Sequence, residues 1–323
     1  VNLRSLHLAW AALIGNGVVI LQGAVVRSTG SGAGCGSHWP TCNGQVVPLD
    51  PSAGTIIEFS HRLLSAGVLI LGAWLLTRAL RTRRENPGLA AYAGFGFALV
   101  VLEALIGAAT VLLGMTGDNT SVARGVWVAS HLVNSLLLIG ALAATVVYAG
   151  REPPAYPLRL RAQGSLASVT GLGLGLMLLL MFTGGIAAMG NTIFPPESLA
   201  AGLRADLDPS SHLLIRLRLL HPLIAITVGT YLFVALGMAW WLKAVPAARR
   251  TSKALLGVYL TQVAVGILNL ALLAPAVLQL IHLALAVTAY ALLSATTVQL
   301  LGGRSAALGS SAKRGAVLES ART

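Results

Sequence analysis

The sequence predicts an all-α integral membrane protein, with eight transmembrane helices forming two repeated four-helix bundles and both termini in the cytoplasm. Three observations carry that expectation. Of 323 residues, 56% are hydrophobic and 10% are charged, with a mean hydropathy of +0.79, whereas a water-soluble domain averages about 25% charged residues. Eight apolar runs are close to the roughly 20 residues that cross a hydrocarbon core of about 30 Å. The basic residues are shared unequally between alternate loops, the pattern that sets orientation across a bilayer.

The runs lie near residues 6–26, 56–77, 90–113, 126–149, 165–189, 213–242, 254–274 and 276–301. The first is long enough to span and lacks a small-residue cleavage site with a mature domain behind it, so it reads as a span and not as a removable leader. The sixth is longer than a bilayer needs, which places its first turns outside the hydrocarbon. One set of loops and ends holds Arg4, Arg78, Arg81, Arg83, Arg84, Arg151, Arg159, Arg161, Lys243, Arg249, Arg250, Lys253, Arg304, Lys313, Arg314 and Arg322, sixteen of the twenty-two basic residues. The opposite set holds Arg27, Arg62, Arg124, Arg204, Arg216 and Arg218. The formal net charge of +12 is therefore a topology signal. Nucleic-acid binding, which needs a contiguous basic footprint, is not required to account for it. Residues 304–323 are rich in Ser, Ala, Gly and basic residues without apolar periodicity, and are expected to form a disordered cytoplasmic tail.

The two halves resemble each other. Residues 1–150 and 151–303 each carry four spans, with a long outer loop after the first of the four. Glu103-Ala-Leu-Ile-Gly107 lines up with Gln262-Val-Ala-Val-Gly266, and the pair His61 and His131 echoes the pair His221 and His282. Because both halves cross the membrane in the same sense, the reading is of parallel repeats about an axis along the membrane normal.

Of seven histidines, His7 lies at the cytoplasmic end of the first span, and His38 and His212 lie in or beside outer loops. The other four fall one each on spans two, four, six and eight, all early in helices that run inward. Ionisable residues at such depth are costly and face a protein interior or cavity. One plain reading is that they hydrogen-bond between helices. The other is ligation: a structural metal ion usually wants three or four donors, whereas a haem iron takes two axial ligands and lets its macrocycle fill apolar space. Two imidazoles per four-helix unit suit a haem, one site in each half. The six outer arginines are candidates for pairing with haem propionates, or else contact lipid headgroups.

Glu58 has two readings. Thr55 and Glu58 have the spacing of a capping box, yet Glu58 also shares a helix face with His61, which sets a carboxylate beside whatever His61 holds. The equivalent place before His221 carries Arg218, so the two sites are chemically unequal. Glu103, in mid-span, either bonds a neighbouring helix or belongs to a proton path.

Cys35 and Cys42 are the only cysteines. An even count in an outer loop favours a disulfide, which either staples a loop containing Gly30, Gly32, Gly34 and Gly36 or takes part in redox chemistry. The glycines have no strand-turn-helix context, so they do not form a phosphate-binding loop.

Taken together, Gly23-Ala-Val-Val-Arg27-Ser-Thr-Gly30-Ser-Gly32-Ala-Gly34-Cys35, Trp39-Pro-Thr-Cys42-Asn-Gly, Glu58-Phe-Ser-His61-Arg62, His131, His221 and His282 resemble the haem A synthase family over nearly the whole chain except the tail. The resemblance implies a multi-pass enzyme of a prokaryotic-type cell membrane, a haem-dependent oxidoreductase that converts a ring methyl of haem O into the formyl group of haem A. It implies that His221 and His282 ligate a resident haem b, that His61 and His131 are the ligands on the substrate side, that Glu58 is the essential carboxylate, and that Cys35 and Cys42 pair. Haem O is the implied substrate, the lipid bilayer its setting, and a haem O synthase and an electron donor the implied partners. Pro222 follows His221 where relatives often have a basic residue, and a second outer-loop cysteine pair found in some members is absent. The alternative is a di-haem b electron-transfer subunit, which accounts for four histidines but not for the Glu58 and Arg218 asymmetry. A transporter of repeated helices would use the glycine runs at 171–175 and 184–185 as breaks, although close helix packing accounts for those glycines more simply.

Overall fold

The computed structural model describes residues 3–152, 155–158, 163–242 and 245–320. Among these are ten α-helices: α1 (Leu3–Ser28), α2 (Ala53–Arg81), α3 (Pro87–Leu112), α4 (Val122–Ala149), α5 (Ser165–Ile193), α6 (Leu199–Leu207), α7 (Leu213–Arg216), α8 (Leu220–Leu242), α9 (Pro246–Ala271) and α10 (Ala276–Ser320). Eight segments are long and apolar enough to cross a membrane, the sixth running over Leu213–Met238 from α7 through a 3-10 turn into α8. The protein is a multi-pass membrane protein. Arg159, Arg161, Lys243 and Arg322, part of the charge asymmetry, lie outside the described residues, as do the side chains of Arg304, Lys313 and Arg314.

The helices begin earlier than the apolar runs because their caps are polar. Ser52 Oγ accepts from the Thr55 N–H at 3.2 Å, Asn86 Oδ1 accepts from Leu89 N–H at 2.9 Å with Pro87 in the first turn, and Ser121 Oγ accepts from Arg124 N–H at 3.3 Å. Each satisfies a backbone donor that the helix itself leaves free. The apolar part of α10 ends near Gly302, but its backbone stays helical to Ser320, through the stretch expected to lack regular structure. No proline interrupts that stretch, and proline is the residue that would break the helix most strongly.

Each group of four spans closes on itself. In the first, α1 packs on α2, α2 on α3, α3 on α4 and α4 back on α1; in the second, α5, α8, α9 and α10 repeat that cycle. The fourth span also touches α5 and α10. It is the most enclosed of the eight, with 67% of its apolar window buried against 28% for the first span. Leu138, Leu142 and Tyr148 of α4 join the first core with Leu75 and Leu89, whereas Leu136 and Ile139 join the second with Met177, Leu232, Leu255 and Leu293. Small residues allow the central helices to meet. A Cβ at Gly185 would stand 3.0 Å from Ala129 Cα, and one at Gly140 would stand 3.0 Å from Ser294 Oγ. Close backbone approach of this kind substitutes for the hydrophobic drive that lipid removes.

Candidate functional site

His61, His131, His221 and His282 lie eight, nine, eight and six residues into their spans. At 1.5 Å per residue they sit about 9–14 Å from the same end of the bundle. Each ring rests against a glycine near the end of the preceding span: Gly23 against His61, Gly107 against His131, Gly184 against His221 and Gly266 against His282. A Cβ at those glycines would lie 3.2, 3.6, 2.9 and 2.9 Å from the ring Cε1. The slots for the imidazoles are thus made by the absence of side chains on α1, α3, α5 and α9. The sequence contained a signal for this, since Gly107 and Gly266 occupy matching places in the repeat, but only the packing reveals what they face.

In the second half, the His221 and His282 ring centroids are 6.2 Å apart with planes at 81°. A transition metal holds an imidazole nitrogen at about 2 Å, with the ring centre about 1 Å behind it, so rings on opposite sides of one iron have centres about 6 Å apart. His221 Nδ1 lies 3.2 Å from the Leu180 carbonyl oxygen and 3.4 Å from Thr183 Oγ1. A carbonyl partner fixes Nδ1 as the donor and leaves Nε2 to ligate. His282 Nδ1 is buried, and the ring lies against the Gln262 backbone. Among the described residues, no three His, Cys, Asp or Glu side chains converge as they would around a bare metal ion. The donor set therefore fits a group that brings most of its own ligands, as haem does.

The first half is built differently. His131 Nε2 stands 3.0 Å from Glu103 Oε1, and Glu103 also accepts from Asn134 Nδ2 and Ser135 Oγ, one turn further along α4. Between the two readings of Glu103, the helix-to-helix contact is the one observed, and it is made to a candidate ligand. His61 lies within electrostatic reach of His131, Glu103 and Arg62, and its Nδ1 is buried without a partner.

Glu58 is buried, 4% exposed, and it is not the third residue of a capping box. Ser52 caps α2, and the Glu58 carboxylate instead reaches outward to the first loop. Its Oε2 accepts the Cys35 N–H at 2.9 Å and its Oε1 accepts from Arg62 Nη2 at 2.5 Å. Cys35 and Cys42 form a disulfide. Arg62 Nη1 also donates to the His38 and Thr41 carbonyls, at 2.9 and 2.8 Å, and Thr55 Oγ1 donates to the Gly34 carbonyl at 2.7 Å. Gly34 is pressed so closely on the Gly54 carbonyl that no Cβ fits. The glycine-rich loop is therefore a lid fastened over the His61 end of α2.

The arginines expected on the outer side are largely committed to protein acceptors. Arg27 donates to the Ala188 carbonyl at 3.1 Å, to Thr192 Oγ1 and to Gln279 Oε1 at 2.7 Å, joining α1 to α5 and α10. Arg124 holds the Gly117 and Asn119 carbonyls, both at 2.7 Å. Arg218 pairs with Asp206 of α6 at 2.7 Å and donates to Asn191 Oδ1 at 2.9 Å. Arg216 makes only a 3.5 Å contact with the Pro209 carbonyl. Sequence reasoning missed Asp206, Asn191 and Gln279, which lie in polar or uncharged settings without a local motif.

The sequence model of the COX15-CtaA family, described as cytochrome oxidase assembly protein, matches residues 7–296, a stretch that contains all four histidines, Glu58 and both cysteines. The chain belongs to this family. A relative in Thermus thermophilus named protoheme IX farnesyltransferase is 42% identical over 278 residues, 86% of this chain and 45% of that protein. Proteins named heme A synthase are similar over shorter stretches: 40% identity over 99 residues in Shouchella clausii, 31% of this chain and 33% of that one, and 47% over 100 residues in Bacillus mycoides, 30% and 31%. The chain thus spans less than half the length of the Thermus relative, and about a third of each of the other two is matched.

Proposed function

We propose that the protein is a haem A synthase, oxidising one ring methyl of haem O to a formyl group by successive hydroxylations and supplying haem A to terminal oxidases. The observation that carries this reading is the pair of unequal histidine sites at one depth. His221 and His282 are spaced for one iron, with no carboxylate against either ring among the described contacts, which supports a resident haem b in residues 151–303; His131 is engaged by Glu103, which supports an exchangeable substrate site in residues 1–150. Haem b, when bound there, supplies the one-electron chemistry.

The chain's own residues orient and enclose. His61 and His131 hold the substrate macrocycle under the loop, whose disulfide and Glu58–Arg62 clamp exclude water from the reacting edge. Glu58, a turn before His61 on the same face, positions the substrate or transfers a proton during the reaction. Two hydroxylations of the same carbon, each a two-electron oxidation that draws on an oxidant from outside the chain, give a geminal diol, and loss of water leaves the formyl group. The isoprenoid tail of haem O lies along apolar helix faces, consistent with a membrane site. The skewed arginine and lysine distribution supports cytoplasmic termini, which puts the histidine layer near the outer face.

The name of the Thermus relative supports a partnership with an enzyme that farnesylates protohaem and so makes this substrate. Prenyl transfer from a diphosphate ordinarily needs carboxylates that bind Mg²⁺, and among the described residues no such cluster converges. An electron donor is the other partner required.

The test is expression in a membrane that supplies haem O, followed by extraction and mass identification of the non-covalent haems. Hydroxylated or formyl haem, absent with Glu58→Ala, is expected. Haem b alone, in two equivalents with haem O available, would replace this reading with a di-haem electron carrier.

A further inference from the structure

Glu103 and Gln262 occupy the same place in the two halves, each four residues before a glycine that cradles a histidine. Their side chains do different things. Glu103 accepts from His131, Asn134 and Ser135, whereas Gln262 Oε1 is buried without a hydrogen-bond partner. The carboxylate therefore occupies the very nitrogen, Nε2, through which His131 would close on iron, whereas Gln262 meets His282 through its backbone and not through its side chain.

Resting on the haem reading above, we propose that Glu103 is the positioning residue that makes the first histidine pair an exchangeable haem site, by competing with iron for His131. Ligation trades one partner of Nε2 for another. For Nε2 to hold the metal, the proton it shares with Glu103 moves to Nδ1. Asn134 and Ser135 keep the carboxylate in place during the exchange, so it is ready to recapture the ring when product leaves. An enzyme whose substrate and product are both haems needs a site that lets go, and the second half, which retains its haem, has no such competitor.

The experiment uses the full-length protein in detergent, loaded with haem b as the probe, and follows haem transfer to excess apomyoglobin. Two phases are expected, a fast one from the first half and a slow one from the second. A carboxylate holds an N–H more strongly than an amide does, by an amount worth about tenfold in such an exchange. Glu103→Gln is therefore expected to slow the fast phase about tenfold and raise the six-coordinate, low-spin absorption, leaving the slow phase as it was. A fast phase and spectrum unchanged in Glu103→Gln overturn the inference while the haem reading stands. Should that variant not fold, Gln262→Glu is read instead, with the slow phase expected to quicken about tenfold and an unchanged rate overturning the proposal. Failure of every variant and of the wild type to take up haem overturns the functional reading itself.

Discussion

Replacing the cradle glycines by alanine tests the histidine layer most directly, because the four positions differ in a graded way. At Gly184 and Gly266 an added Cβ would lie 2.9 Å from the ring carbon of His221 or His282, at Gly23 it would lie 3.2 Å from His61, and at Gly107 it would lie 3.6 Å from His131. Carbon atoms pack best at about 3.5–4.0 Å. The second-half rings must therefore retreat by roughly 0.6 Å or more, while the His131 ring need not move. Overpacking of this size costs about 1–3 kcal/mol, which corresponds to about five- to 150-fold in affinity. Gly184→Ala and Gly266→Ala are expected to weaken haem b binding by that factor, Gly107→Ala to leave haem binding in the first half unaltered, and Gly257→Ala, with open space around it on α9, to match the wild type. The measurement is titration of haem b into haem-depleted protein, with the thermal midpoint recorded alongside. Alanine is the better helix former by about 1 kcal/mol, so a haem deficit in a protein that melts normally reports on the slot. Wild-type affinity in both second-half variants, or an equal defect in Gly107→Ala, would refute the reasoning.

Other expectations follow from the clamps. Glu58→Gln should lower haem A formation by about 100-fold or more, the scale of a lost acid-base or positioning group, and leave haem b in place; extraction of the haems from purified protein checks both, and concurrent loss of haem b would contradict the assignment to the substrate side. Replacing Cys35 and Cys42 together by serine removes a constraint worth about 2–3 kcal/mol for so short a loop, but Glu58 still accepts from the residue 35 backbone N–H, so turnover should fall only partly, as followed by product per unit time with and without reductant. Asp206→Asn strands the buried Arg218 and should cost about 3 kcal/mol, seen as a lower melting temperature and faster proteolysis between residues 194 and 212. Arg27→Met removes donors to three acceptors on α5 and α10 and should cost about 2–4 kcal/mol, again read by thermal denaturation.

The spans were legible because little besides a bilayer crossing calls for about 20 consecutive apolar residues, and the histidine layer because an imidazole in such a run must have a reason to be there. Their boundaries were not, since Ser52, Ser121 and Pro246 begin helices in polar sequence outside the runs. Glu58 illustrates the harder loss. Its neighbours in sequence suggested a cap, but its partner is a backbone N–H 23 residues earlier, and a main-chain donor leaves no mark on composition. Helix α6 escaped for a similar reason: nine residues in a polar loop carry too few apolar positions to show a period, and its Asp206 acquires meaning only where Arg218 meets it. The arginines were visible as charges on one side, yet the carbonyls that hold Arg27 and Arg124 belong to residues of no distinguishing chemistry.

The glycine and histidine partners always come from consecutive spans, the glycine late in the outgoing helix and the histidine early in the returning one. The smallest unit that recurs is therefore a helical hairpin, present four times, and a half-molecule is two such hairpins facing each other. Each slot is thus built within one hairpin, whereas an opposed pair of imidazoles needs two hairpins to meet.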